Sequence, residues 1–167
     1  VGRGVFLDVA RALGMDVLPD GHGISGAELD RAAAAARVEV RRGDFVIVRT
    51  GQMEAKLAAG SWDGYPGGDA PGFSFETLEW FHRNQIAAVA SDTWGAEVRP
   101  CETEPGINQP WHWITIPIMG LTVGEIFYVA DLAKDCAADG VNEFLFVAPA
   151  LPVTAAVGSP VNPLAIK

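Results

Sequence analysis

The chain has 167 residues, 49% hydrophobic and 20% charged, with a formal net charge of −9. That is enough apolar chain for one globular domain with its own core, and too apolar a balance for disorder. The acidic charge argues against nucleic acid, whose phosphates demand clustered Lys and Arg, and against an anionic membrane surface.

Val5 to Val9 reads as a buried strand. Domains seldom open at the edge of a core strand, so the chain is expected to be the C-terminal part of a longer polypeptide, filling a single domain over residues 1–167. Ser25-Gly26-Ala27-Glu28 is a capping box that opens an Ala-rich helix running to about Val38. Arg42-Gly43-Asp44 is a turn, and Phe45–Arg49 is a β-rich run. Thr50-Gly51 is read as the start of a long loop. Its Gly60–Gly72 portion holds five glycines and two prolines, with Trp62 and Tyr65 among them. Long ordered loops of this kind are often functional.

Ser74 is expected to cap a helix over Phe75–Arg83, and Ile86–Ala90 is a short strand ending in Ser91-Asp92-Thr93-Trp94. Residues 95–111, with Pro100, Pro105 and Pro110, read as irregular. Thr122-Val123-Gly124-Glu125 has the form of a second capping box, predicting a helix from Thr122 to about Ala138, closed by Gly140. Phe144–Ala148 is read as a buried strand, and a Pro- and Gly-rich tail follows. The most apolar run, Phe144–Val157, is broken by Pro149 and Pro152 and is too short to cross a bilayer. Short strands alternating with helices give an α/β class, with strand ends at Asp8, Arg49-Thr50 and Ser91-Asp92.

His112 lies between Trp111 and Trp113. Spacing alone makes it a hydrogen-bonded histidine in an aromatic cluster, with metal ligand or proton shuttle as the functional alternative. Glu125 reads as a helix cap that would also suit a divalent cation. Asp92 reads as a turn or cap aspartate, or as a site carboxylate that orients a histidine. His22 is expected to be solvated in a turn, and His82 to lie on a helix face. Cys101 and Cys136 form no CxxC pair and read as free thiols of a reducing cytoplasm. There is no G-x-S-x-G elbow and no P-loop, so a serine nucleophile and a P-loop nucleotide site have no support.

The stretches RGVFLDVA, LPDGHGISGAELDRA, VRRGDFVIVRTG, PGFSFETLEWF, IAAVASDTWGAEVRP, MGLTVGEIFYVADLAKDC and FLFVAPALPVTAAVGSPVNPLAI together resemble the cyclase family of metal-dependent hydrolases. That family includes bacterial kynurenine formamidase and isatin hydrolase. The resemblance implies a swivelling β/β/α domain, N-terminally incomplete here, because the family's H-x-G-T-H-x-D metal motif is not in this chain. It implies hydrolysis of an amide, lactam or N-formyl bond by water activated on Zn2+ or Mn2+, in a homo-oligomeric dimer or tetramer. His112 and Glu125 match the family's downstream metal-site histidine and carboxylate. His112 and Asp92 are then the catalytic candidates, and Trp62, Tyr65 and Thr93 the substrate-binding ones. The competing expectation is a non-catalytic pseudoenzyme or interaction subunit that keeps the fold.

Overall fold

The computed structural model describes residues 1–103 and 106–167; Pro105, read above as part of an irregular stretch, lies outside them. The fold is mixed α/β, as expected. Its centre is a six-stranded sheet of β1 (Gly2–Asp8), β3 (Phe45–Arg49), β5 (Ala88–Ser91), β6 (Thr122–Gly124), β7 (Glu143–Val147) and β8 (Leu164–Ile166). Their order across the sheet is β6-β5-β3-β1-β7-β8. The first four run parallel, and β7 returns antiparallel against β1. The path β1 to β3 to β5 to β6 therefore brings four carboxyl ends, at Asp8, Arg49, Ser91 and Gly124, to one edge of the sheet.

The inner parallel strands β1, β3 and β5 carry apolar runs because both their faces are covered. Val5 and Leu7 of β1 join Val46, Val48 and Val89 in the larger core. That core is closed by α1 (Val9–Ala12), α2 (Gly26–Ala36), α4 (Thr77–Asn84) and α5 (Pro110–Thr115). Phe6, Ile47 and Ala90 point the other way and pack with Val129, Cys136, Phe144 and Phe146 under α6 (Ala130–Asp139). A second, two-stranded sheet pairs β2 (Gly23–Ile24) with β4 (Gly72–Phe73) in parallel. Isolated bridges from Phe73 to Glu97 and from Ala70 to Arg99 extend it.

The Ser25 capping box forms in both directions, and α2 ends at Arg37 in the left-handed region. Other expectations are corrected. The loop expected after Thr50 begins with an eight-residue helix, α3 (Gln52–Ala59). Its Gln-Met-Glu-Ala-Lys-Leu-Ala-Ala run is made of strong helix formers. Gly51, at φ 85, starts it where a Cβ would strike the Asp16 carbonyl.

Ser74 does not cap α4. Its hydroxyl donates to the Ile24 carbonyl at 2.7 Å, and Glu76 stands at the N-cap. Thr122 is not a cap either. Thr122–Gly124 pairs with β5, and the helix begins only at Ala130. A lone Thr-x-x-Glu pattern cannot distinguish a cap from a β-branched strand, and here pairing with a buried neighbour decides. β7 buries Phe144 and Phe146 but exposes Leu145, so it is covered on one face only. The tail holds one more short strand, β8. Within the stretch read as irregular, Pro110 opens α5 at its first turn, where a missing N–H costs nothing.

Candidate functional site

α5 is anchored by Trp111. Its indole is fully buried, stacks on Phe73 at 5.3 Å and donates to Thr77 Oγ1 at 3.0 Å. The next residue, His112, is thereby turned toward the carboxyl edge of the sheet, with the Trp111 ring edge-on at 5.1 Å.

Both ring nitrogens of His112 meet carboxylates. Nδ1 lies 2.9 Å from Glu97 Oε2, and Nε2 lies 3.0 Å from Glu125 Oε1. The environments differ sharply. The Glu97 side chain is 3% exposed, that of His112 12% and that of Glu125 37%. Burial lowers the pKa of His112, but the hydrogen bonds and charges of Glu125 and Glu97 outweigh it and raise the ring to about 9.

Glu125 follows β6 directly. Ile126 N–H donates to the Thr93 carbonyl and Phe127 N–H to the Ser91 carbonyl, so the chain after β6 stays on the neighbouring strand end. Three non-glycine residues beside this relay have positive φ: Ala96 at 50°, Gln109 at 58° and Ile126 at 60°. Such conformations cost of order 1–3 kcal/mol each and persist where the surroundings over-determine them. They adjoin Glu97 and Glu125 and open the helix that carries His112.

The other candidates divide. Asp92 is 1% exposed and its carboxylate hydrogen-bonds no histidine among the described residues. It accepts from Thr50 N–H (2.8 Å), Thr50 Oγ1 (2.8 Å) and Gly51 N–H (2.8 Å), clasping the β3–α3 turn. Burial pushes its carboxyl up from the usual range, against the pull of those donors. It therefore does not orient His112, the second role the sequence allowed it. Thr93 is fully buried, with its hydroxyl on Ser91 Oγ at 2.9 Å. Tyr65 donates to the Asp92 carbonyl at 2.7 Å, which ties the Gly-rich loop to the strand end. Burial, then the charges of Asp92 and Glu125, holds its phenol above its ordinary range. Trp62, 48% exposed, packs edge-on against Tyr65 at 5.1 Å.

His22 is not simply solvated: it is half-buried with Nε2 3.0 Å from Glu28 Oε1. His82 is exposed on α4, as expected. Sequence reasoning missed Glu97, which sits in a loop without a motif. Only the pairing of its segment with β4 brings it under His112.

The fit to a cation is partial. His112 Nε2 and the Glu125 carboxylate are a nitrogen and an oxygen donor at one point of the surface, the pairing that Zn2+ or Mn2+ takes. Among the described residues, no group of three or more His, Cys, Asp or Glu is placed to hold a metal ion. Among the described residues, His112 and Glu125 are thus two donors at that point, fewer than a closed site needs.

Comparison with known proteins places the chain. The family described as "Putative cyclase" matches residues 1–98, which carry β1 to β5 and end before His112. A crystal structure of a novel cyclase is 35% identical with a TM-score of 0.85, covering 100% of this chain and 54% of that one. An isatin hydrolase bound to the product analogue thioisatinate is 15% identical with a TM-score of 0.68, over 97% of this chain and 58% of that one. A predicted metal-dependent hydrolase from Bacillus stearothermophilus is 15% identical with a TM-score of 0.59, over 98% and 62%. The last two share the fold. The chain spans between about half and under two thirds of these proteins. No curated protein matches it.

Proposed function

Because this chain belongs to the cyclase family, we propose that it forms part of a metal-dependent hydrolase. His112 and Glu125 supply two of the ligands to a divalent cation, Zn2+ or Mn2+. The remaining ligands come from residues outside this chain. The substrate class is a small amide, lactam or N-formyl compound, cleaved at its acyl C–N bond. The observation that carries this reading is the 3.0 Å approach of His112 Nε2 to Glu125 at the carboxyl edge of the parallel strands.

A divalent cation held there supplies Lewis acidity, polarising a carbonyl and acidifying water. The chain's own groups do the rest. Glu97 holds the His112 ring in place. Glu125, more exposed than its partners, presents its carboxylate at the mouth of the site. Tyr65 keeps the Gly-rich loop against the strand end, so that Trp62 offers an apolar face to the substrate.

Subunit association, as a dimer or tetramer, is supported by the exposed Leu145, Leu164 and Ile166 on the β7–β8 edge. A cytoplasmic setting is supported by the free thiols Cys101 and Cys136. No helix among the described residues is long and apolar enough to cross a membrane.

The test is hydrolysis of N-formylkynurenine, isatin and simple cyclic amides by the polypeptide that carries this chain, before and after chelation and with Zn2+ or Mn2+ restored. Activity lost to chelator and regained with metal supports the reading. A metal-free polypeptide with no turnover on any of these would favour the interaction-subunit alternative.

A further inference from the structure

We infer that Glu97 is the positioning residue of this site: it keeps the ring proton of His112 on Nδ1, leaving the lone pair of Nε2 to face Glu125. The geometry stands on its own, and only its consequence for a cation rests on the proposed function.

An ionised carboxylate accepts hydrogen bonds and cannot donate them. Glu97 Oε2 sits 2.9 Å from Nδ1 and also meets the backbone N–H of His112 at 3.4 Å. Both hydrogen bonds that this carboxylate makes among the described residues come from His112. Glu125 makes the matching demand at Nε2. A neutral ring has one proton and cannot satisfy both.

Burial decides between them. The Glu125 side chain, 37% exposed, can exchange its ring proton for water. The Glu97 side chain, 3% exposed, cannot. Stripping a donor from a buried carboxylate costs far more than stripping it from a hydrated one. The proton therefore stays on the buried side.

Glu97 is also held rigidly. Phe73 N–H donates to the Ala96 carbonyl at 2.7 Å, and Val98 N–H to the Phe73 carbonyl at 3.1 Å. These bonds bracket Glu97 on both sides. Gly72 lies so close that a Cβ there would overlap the backbone of Ala96, Glu97 and Val98. The small sheet is thus a platform that sets one carboxylate under one imidazole, as the outer partner of a metal-bound histidine requires.

The experiment is long-range 15N–1H NMR of the His112 ring in the polypeptide that carries this chain, read at pH 10.5, above the raised pKa of the ring, and again at pH 8 saturated with ZnCl2. The expected wild-type result is a proton on Nδ1 in both. Glu97→Gln presents an amide that can donate to Nδ1. We expect it to move the proton to Nε2 and to weaken Zn2+ binding at least about tenfold. Glu125→Gln should weaken Zn2+ binding while leaving the proton on Nδ1. A wild-type ring protonated on Nε2 at pH 10.5, or a Glu97→Gln ring still protonated on Nδ1, overturns the inference. If Glu97→Gln does not fold, the wild-type spectrum at pH 10.5 still decides. A wild-type ring that ignores Zn2+ sinks the proposed metal role instead, and the pH 10.5 spectrum then judges Glu97 separately.

Discussion

Replacing Asp92 with alanine strips three donors of their acceptor at once. Thr50 N–H, Thr50 Oγ1 and Gly51 N–H all bond its carboxylate at 2.8 Å, at a position 1% exposed. A buried donor left unsatisfied costs about 1–3 kcal/mol. Water entering the vacated space recovers part of this, so a net loss of about 3–5 kcal/mol is expected, against a total stability of roughly 5–15 kcal/mol. At about 2–4 °C per kcal/mol for a chain of this size, the melting temperature should drop by roughly 6–20 °C. Asp92→Asn keeps the oxygen that serves Thr50 and turns an NH2 toward the Gly51 N–H. It should lose only about 1–3 kcal/mol. Urea melts followed by circular dichroism measure both. A loss below about 1 kcal/mol for Asp92→Ala would refute the clasp, because the donors would then have other partners.

The raised pKa of His112 has a definite sign. Its ordinary value is near 6.5 and its folded value about 9. The cation-free chain therefore gains stability from this ring at pH 6 and loses that gain as pH rises through 9. The stability gap between wild type and His112→Ala should accordingly be wider at pH 6 than at pH 10 in urea titrations, and an equal gap would contradict the relay. In a catalytically competent polypeptide, His112→Ala should cut turnover at least about 100-fold, because it removes a cation ligand where even an outer partner of such a ligand is worth about 10–100-fold; near-normal turnover removes His112 from the site. Gly72→Ala forces a Cβ into the backbone beside Glu97. It should lower stability by about 1–3 kcal/mol and shift the His112 ring signals; unchanged signals would show that Glu97 is not held by that approach. Trp62→Ala, at a half-exposed position, should leave the melting temperature within about 2 °C, while Tyr65→Phe should lose about 1 kcal/mol with its bond to the Asp92 carbonyl.

Much of the fold was legible in the order of the chain. The Ser25 capping box, the apolar runs of β1, β3 and β5 and the Gly140 stop all carry local signals, and the structure agrees with them. Local signals failed where a long-range partner decides. Thr122-Val123-Gly124 has a cap's spelling, yet it pairs in parallel with Ala88–Ala90, so closely that a Cβ at Gly124 would fall 2.8 Å from Ala90 Cβ, and that pairing makes it a strand. The helix at Gln52 was hidden by the glycine before it and the Gly-rich loop after it. The site was half legible. The resemblance pointed to His112 and Glu125, and the structure brings their side chains to 3.0 Å. Glu97 was illegible because nothing in Gly95-Ala96-Glu97 announces it. It reaches His112 only through pairing with β4, 24 residues earlier at Phe73.

The central claim is that His112 and Glu125 share one cation. The most direct measurement is an anomalous difference map, at the zinc edge, of crystals of the polypeptide carrying this chain grown with Zn2+. The account predicts a peak about 2.0–2.2 Å from both His112 Nε2 and a Glu125 carboxylate oxygen, with Nδ1 still on Glu97. A zinc peak bound elsewhere, with His112 and Glu125 still bonded to each other, would contradict it.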